Sequence, residues 1–153
     1  MPRRKGISPV IATVIIVAVT IAVAIAVAFW MTGIVGLFTA TEKLEIASLY
    51  VTGGGGQNWV VHLNVKNTGT TLTSIDNIFI NGVPISQCTG NVTVDPDVTT
   101  TPVAINPGTA QDITITIPPN SGCGSTTFTS GVSIEVKLHS TGGKEYPKLT
   151  NLP

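Results

Sequence analysis

Histidine, serine and acidic side chains are the residues from which this sequence would build a catalytic site, and they are few and scattered. The only two histidines, His62 and His139, fall at solvent-facing positions of predicted strands, and no further ligands stand at a spacing typical of metal sites. No serine has a recognisable histidine and acid partner. The string Asp95-Pro96-Asp97 is more typical of a turn than of a weak calcium site. The sequence therefore predicts no enzyme, no metal site and no cofactor.

Two other kinds of covalent chemistry remain. Cys88 and Cys123 are the only cysteines, and in an extracellular domain they predict a disulfide, with two buried free thiols as the alternative. Closing a loop of about 35 residues contributes about 4 kcal/mol in the chain-entropy model. Asn91-Val92-Thr93 is the only N-glycosylation sequon. The Thr- and Ser-rich stretches fit either an O-glycosylated surface or simple β propensity.

The composition narrows the class of protein. The 153 residues suit one membrane-length helix and one small domain, and only 10% of them are charged. Three basic residues stand at positions 3–5, whereas the chain from Ile7 onward has five Lys against eight acidic residues, a formal charge of −3. A surface for binding nucleic acid is therefore not expected.

After residue 40 the apolar residues alternate with polar ones, which predicts strands with one buried face. The clearest runs are 61–65, 113–117 and 132–138. Asn81-Gly82 stands between two short apolar runs and predicts a hairpin, and Gly53–Gly56 and Gly142–Gly143 predict further turns. Seven or so short strands indicate a β-sandwich. The string Val65-Lys-Asn-Thr-Gly69, followed by Ile78-Phe-Ile-Asn-Gly82, Asn106-Pro-Gly108 and Ile113–Ile117, resembles immunoglobulin-like domains of archaeal surface proteins. The resemblance implies an α+β protein in which a long N-terminal hydrophobic helix precedes an immunoglobulin-like antiparallel β-sandwich.

The apolar run from Val10 to Met31 contains no charge and predicts a helix from about Pro9 to Ala40. Small residues recur at four-residue spacing at Ala18, Ala22 and Ala26, a pattern that lets helices approach closely. As an ordinary signal peptide the run is too long, and it continues past the small-x-small string Ala26-Val27-Ala28. As a permanent anchor it is long enough to span a bilayer, with the preceding basic residues holding the N-terminus in the cytoplasm.

A third interpretation rests on a resemblance. The string Arg3-Arg-Lys-Gly6-Ile7-Ser-Pro-Val-Ile-Ala-Thr13, followed by an Ile/Val/Ala helix, is similar to the N-terminal motif of archaeal type IV pilins. The resemblance implies that a prepilin peptidase cuts between Gly6 and Ile7 and that the helix stays on the mature subunit. The Ser-Pro-Val-Ile-Ala-Thr part favours a pilus subunit over an archaellum subunit. Unlike bacterial type IV pilins, this chain has no Glu near the start of the mature helix; Ile11 stands there.

The resemblance implies three segments: a class III signal peptide at 1–6, a hydrophobic assembly and transmembrane helix at 7–40, and an extracellular immunoglobulin-like domain at 41–153. It also implies a filament of identical subunits that mediates adhesion. The expected partners are a prepilin peptidase, a pilus assembly ATPase with its membrane platform, and the membrane that holds the precursor with its N-terminus in the cytoplasm. A singly anchored bitopic surface protein that binds a ligand or partner is the alternative, and a minor pilin is another.

Overall fold

The computed structural model describes residues 8–38 and 40–153, which form two compact units divided after Ala40. The first unit contains α1 (Pro9–Phe38). The second, Thr41–Pro153, contains the strands and one short 3₁₀ helix (Ile85–Gln87). Its strands are β1 (Leu44–Gly53), β2 (Trp59–Asn67), β3 (Thr73–Ile80), β4 (Val83–Pro84), β5 (Thr93–Asp95), β6 (Val103–Ile105), β7 (Ala110–Ile117), β8 (Gly122–Cys123), β9 (Thr126–Thr127), β10 (Ser133–Ser140) and β11 (Glu145–Asn151).

Two larger antiparallel sheets and a two-stranded one, β8–β9, form the second unit. One of the larger sheets has the strand order β1-β2-β7-β5, and the other has the order β11-β10-β3-β4, with β6 also paired to β3. The alternating apolar residues of the long strands point inward from both sheets and form one core, in which Val61, Ile115 and Val136 are fully buried. The predicted fold class, an apolar helix followed by an antiparallel β-sandwich, is confirmed.

The turn predictions are also confirmed. Asn81 and Gly82 both have positive φ, 52° and 79°, as the two-residue turn between β3 and β4 requires. Gly53–Gly56 joins β1 to β2, and Gly142–Gly143 joins β10 to β11. In contrast, four short strands could not be predicted from periodicity, because each has only two or three residues: β5, β6, β8 and β9.

Asn67, the last residue of β2, is fully buried, and its side chain forms hydrogen bonds with the backbone of neighbouring segments. Its side-chain amide donates to the carbonyl oxygens of Thr71 and Ile105, each at 2.8 Å, and its side-chain oxygen accepts from the backbone N–H of Gly69 at 2.9 Å. One side-chain amide thus bonds to two backbone carbonyls and one backbone N–H. The loop after β2 is thereby fixed against β6.

The loop 68–70 in turn holds the segment through which the chain enters the β unit. The backbone N–H groups of Thr68 and Gly69 donate to Lys43 O, at 2.9 and 3.1 Å, and Thr70 N–H donates to Thr41 O at 2.8 Å. Lys144 Nζ donates to the carbonyl of Glu42 at 2.6 Å. The first three residues of the β unit are therefore anchored by the loop and by the β10–β11 turn.

Candidate functional site

The apolar helix is the most prominent candidate for function. It begins with Pro9 in its first turn, where a missing N–H costs nothing, and Ala12 N–H closes the first bond to Ser8 O at 3.1 Å. Its thirty residues extend about 45 Å at 1.5 Å each, more than the hydrocarbon core of a bilayer, about 30 Å. By length and composition it qualifies as a membrane span over Pro9–Gly36.

Polar side chains in the helix bond to its own backbone. The hydroxyls of Thr13 and Thr20 each donate at 2.8 Å to the carbonyl three residues before, and Thr32 does the same at 2.9 Å. The helix contains no acidic or basic residue. Its described surface therefore offers almost nothing that needs water.

That surface is uncovered. None of the described helix side chains is buried, and most of the large apolar ones are 51–75% exposed, the highest being Phe29, whereas Ile34 is partly buried. Ala18, Ala22 and Ala26 lie along one exposed ridge, as their four-residue spacing predicts. A Cβ added at Gly33 or Gly36 meets nothing within 4 Å. The role of these small residues as packing positions stays a prediction.

The ends of the helix bear on the predicted processing site. Gly6 and Ile7 lie outside the described residues, so the cleavage site stays a prediction.

At its C-terminal end the helix stops at Phe38. Ala40, to which we extended the helix from the sequence, is not helical. The physical reason is the next residue: Thr41 N–H bonds to Thr70 Oγ1 at 2.9 Å and so belongs to the β unit.

The two covalent sites of the β unit are accessible to different degrees. Cys88 and Cys123 form a disulfide, with Cys123 buried in the core and Cys88 half-buried beside it. The bond joins the segment after the 3₁₀ helix to β8. Asn91 is exposed in a turn, with a left-handed φ of 62°, and Thr93 of its sequon is exposed at the start of β5. The sequon is sterically accessible, and its glycosylation stays a prediction.

The titratable side chains of the described residues do not come together in a metal site. Within residues 8–38 and 40–153, no group of three His, Cys, Asp or Glu side chains is placed to hold a metal ion. Both oxygens of Asp97 accept bonds from the turn that follows: Thr100 Oγ1 bonds to one, and Thr99 Oγ1 and N–H bond to the other at 2.6 and 2.9 Å. These bonds, that of Thr100 first, lower the pKa of Asp97 to about 2. The geometry is that of an Asx turn, as we expected for Asp95-Pro-Asp97.

The histidines are less isolated than their sequence positions indicated. His139 Nδ1 lies 2.6 Å from Asp76 Oδ1, and both side chains are about one-third exposed. Asp76 is the extra residue of a β-bulge, because His139 pairs with Asn77 while the next residue pairs with Ile75. Sequence reasoning missed this contact, since a bulge leaves no periodic signal. His62 lies beside Tyr50, its partner across β1 and β2.

These features define an α+β protein in which an uncovered, membrane-length helix precedes a disulfide-bonded antiparallel sandwich. A chain of the archaeal flagellum of Methanospirillum hungatei strain JF1 has a similar fold, with a TM-score of 0.50 and 20% identity over 94% of this chain and 88% of that chain. Weaker similarities link it to the archaellum periplasmic stator protein FlaG from Sulfolobus acidocaldarius and to the apo PCuAC domain from PmoF1. For FlaG the TM-score is 0.44, with 18% identity over 72% of this chain and 100% of that chain. For the PCuAC domain the TM-score is 0.46, with 12% identity over 74% of this chain and 98% of that chain. No family model and no curated protein sequence matches this chain.

Proposed function

We propose that this chain is a structural subunit of an archaeal type IV pilus, with α1 packed in the filament core and the β unit on the filament surface. The observation that carries the proposal is the uncovered helix: it has 30 uncharged residues, and most of its described large apolar side chains are more than half exposed. An apolar surface of this size needs a cover, either lipid or other helices of the same kind.

In the proposed cycle, membrane lipid covers the helix first and neighbouring helices cover it after assembly. The precursor lies in the membrane with its N-terminus in the cytoplasm, held there by the basic residues at 3–5. A prepilin peptidase cuts between Gly6 and Ile7, and an assembly ATPase with its membrane platform extracts the subunit. Because lipid tails and an Ile/Val/Ala bundle are about equally apolar, transfer of the helix is nearly neutral in hydrophobic free energy. Packing between helices then stabilises the filament.

Small residues make close packing feasible. Ala18, Ala22 and Ala26 form the ridge on which a neighbouring helix would lie, and Gly33 and Gly36 leave room for further approach. The space beside Gly33, where an added Cβ would meet no atom within 4 Å, supports this role. The fold shared with a chain of the Methanospirillum hungatei flagellum supports a filament subunit in general. The string from Ser8 to Thr13 favours a pilus over an archaellum.

Adhesion is the proposed role of the assembled filament, as the resemblance of the N-terminal string to archaeal type IV pilins implies. The surface of such a filament would be rich in hydroxyl groups and stabilised by the Cys88–Cys123 bond. N-glycosylation at Asn91 fits this location, because the residue is exposed. Peptide mass spectrometry that finds only unmodified Asn91 in surface material would remove the glycan from the proposal.

N-terminal sequencing of protein sheared from the cell surface tests processing. We expect the first residue to be Ile7, in material that electron microscopy shows as filaments. A start at Met1 or Pro2 would instead support the second candidate, a singly anchored bitopic surface protein, which the membrane-length helix also permits. A start near Phe29 would indicate a secreted domain. A minor pilin would start at Ile7 but would be scarce relative to the filament mass.

A pair of helix variants tests packing. We expect Ala22→Leu to abolish filaments because it adds bulk to the small-residue ridge, while the precursor still inserts into the membrane and is still cut. Val23→Leu is the matched control: it adds a single methylene to the adjacent residue, off the ridge, and should leave filaments intact. Equal filament yields from the two variants would contradict the packing role of Ala22.

A further inference from the structure

The outward surface of β1, β2 and β7 has an unusual combination of side chains. Tyr50 stands opposite His62, which stands opposite Thr114, in one row across the three strands. In the next row Asn64 stands opposite Asp112. We call these five residues the Tyr50 face.

The aromatic half of this face is ordered but uncovered. The rings of Tyr50 and His62 stack with centroids 4.7 Å apart and an interplanar angle of 19°. Thr52 Oγ1 lies 3.3 Å from His62 Nε2 and holds the imidazole in place. Tyr50 nevertheless remains 55% exposed. A cross-strand aromatic pair stabilises a sheet mainly by burying its rings, so this pair leaves much of its apolar surface for an outside partner.

The polar half is arranged as a hydrogen-bonding pair. Asn64 Nδ2 donates to Asp112 Oδ1 at 2.6 Å, which orients both groups across β2 and β7. Asp112 is exposed and has a second carboxylate oxygen directed to no other described residue, and the Asn64 amide has a carbonyl oxygen and a further N–H. Between the two halves lies a cavity of about 200 Å³, lined by the Tyr50 face and by Ser48, Leu63 and Ile113.

The chemistry of this cavity selects among ligand classes. It is lined by the carboxylate of Asp112 and by no Lys or Arg side chain, a lining that disfavours phosphate and other anions. Its polar lining does not suit a purely apolar ligand. The volume is below the roughly 300 Å³ at which pockets begin to hold drug-sized molecules, so it fits a single small ring. Adjacent donors and acceptors beside an aromatic surface suit a neutral ring that carries hydroxyls on its edge and C–H groups on its face.

We infer that the Tyr50 face binds a neutral saccharide, one pyranose ring in the cavity with its C–H face against the aromatic pair and its hydroxyls on Asp112 and Asn64. The inference does not rest on filament assembly, since every residue of the face lies within the β unit. It adds a specific binding surface that the helix and the N-terminal motif do not supply.

The test uses the full chain in micelles of a zwitterionic detergent, because detergents with sugar head groups would compete. The probes are cellobiose, maltose, lactose, mannobiose and chitobiose. We expect at least one to shift the NMR signals of the Asn64 side-chain amide and the His62 ring saturably, with a Kd in the range of about 0.1–10 mM. Tyr50→Ala and Asn64→Ala should each weaken binding about tenfold or more, while Tyr50→Trp should retain it.

Leu149→Ala is the matched control, since Leu149 is 72% exposed on β11 of the other sheet and should not affect binding. Spectra that are unchanged away from the substituted residue show that each variant is folded. Three results overturn the inference: no shift with any probe at 100 mM, shifts that Tyr50→Ala leaves unchanged, or shifts at the Tyr50 face that depend on protein concentration and not on sugar. The last result would indicate a contact between copies of this chain.

Discussion

The buried amide of Asn67 offers a sharp test of how the β unit is held together. In Asn67→Asp the side chain keeps its shape, but the group that donated to Thr71 O and Ile105 O becomes an acceptor. The buried carbonyl of Ile105 loses this donor at a cost of about 1–3 kcal/mol, whereas Thr71 O keeps a longer bond of 3.4 Å from Thr73 Oγ1, so the free energy of unfolding should fall by about 1–4 kcal/mol. The bond from Gly69 N–H survives, and this favours the lower half of the range.

The assay is urea unfolding of residues 41–153 at pH 7, followed by circular dichroism. With an m value of about 1–3 kcal/mol per molar urea, the midpoint should fall by about 0.3–4 M. Asn106→Asp is the matched control: it makes the same chemical change at an exposed residue of a neighbouring turn and should cost less than about 0.5 kcal/mol. Equal losses for the two variants would refute the reasoning.

The pH dependence of the same variant supplies a second check. The introduced carboxyl is buried between two carbonyl oxygens, which favours its protonated form and raises its pKa in the folded state. The folded variant therefore binds a proton that the unfolded chain has already lost, and its stability should rise as the pH falls through the folded pKa. The deficit relative to the natural chain should shrink at acidic pH. A deficit that stays constant or grows there would contradict this account.

Three further predictions concern the β unit. Reducing the Cys88–Cys123 bond, which closes a sequence separation of 35, should lower the free energy of unfolding by about 4 kcal/mol, measured by urea unfolding with and without a phosphine reductant. Thr100→Ala should raise the pKa of Asp97 from about 2 toward 3.8 in a carbon-13 NMR titration. Since the folded pKa is lowered, any stability from this carboxylate is present above its unfolded pKa and lost as the pH falls through about 2. Gly69→Ala should cost about 2 kcal/mol or more in the same urea assay, because its Cβ would lie 2.7 Å from Lys43 N.

Two thiols open to alkylation in the native protein would contradict the prediction for the disulfide. For Asp97 the control is Thr101→Ala, which alters the next hydroxyl along the turn and should leave the titration unchanged. A Gly69→Ala chain as stable as the original would mean that the entry segment is not held tightly by the loop that contacts it.

Much of the architecture could be predicted because it follows from periodicity and turn chemistry. The uncharged run after Pro9 has a single interpretation as a helix, and the strict alternation in 113–117 has a single interpretation as a strand with one buried face. Asn81-Gly82 was predictable for a local reason, since few other dipeptides adopt positive φ at both positions. These features depend on near neighbours in the sequence.

Features that depend on distant residues were not predictable. Asn67 belongs to a Lys-Asn-Thr-Gly string that resembles turn chemistry, and nothing local shows that Ile105, 38 residues later, accepts its bond. The bulge at Asp76 shifts the register by one residue and turns that carboxylate toward His139. The Tyr50 face was missed although its signal was present: once Gly53–Gly56 is taken as a turn, the register pairs Tyr50 with His62.

The composition of the helix has a consequence for the entropy of assembly. Thirteen of its thirty residues are Val or Ile and six are Ala. In a helix Val and Ile hold one χ1 rotamer about 90% of the time, and Ala has no side-chain rotamer to lose. In the proposed filament, tight contact with neighbouring helices would therefore remove little side-chain freedom, whereas a helix of Met would lose more. Because the surface of the helix is already nearly rigid, the dispersion contacts made along its length would be offset by only a small loss of side-chain entropy.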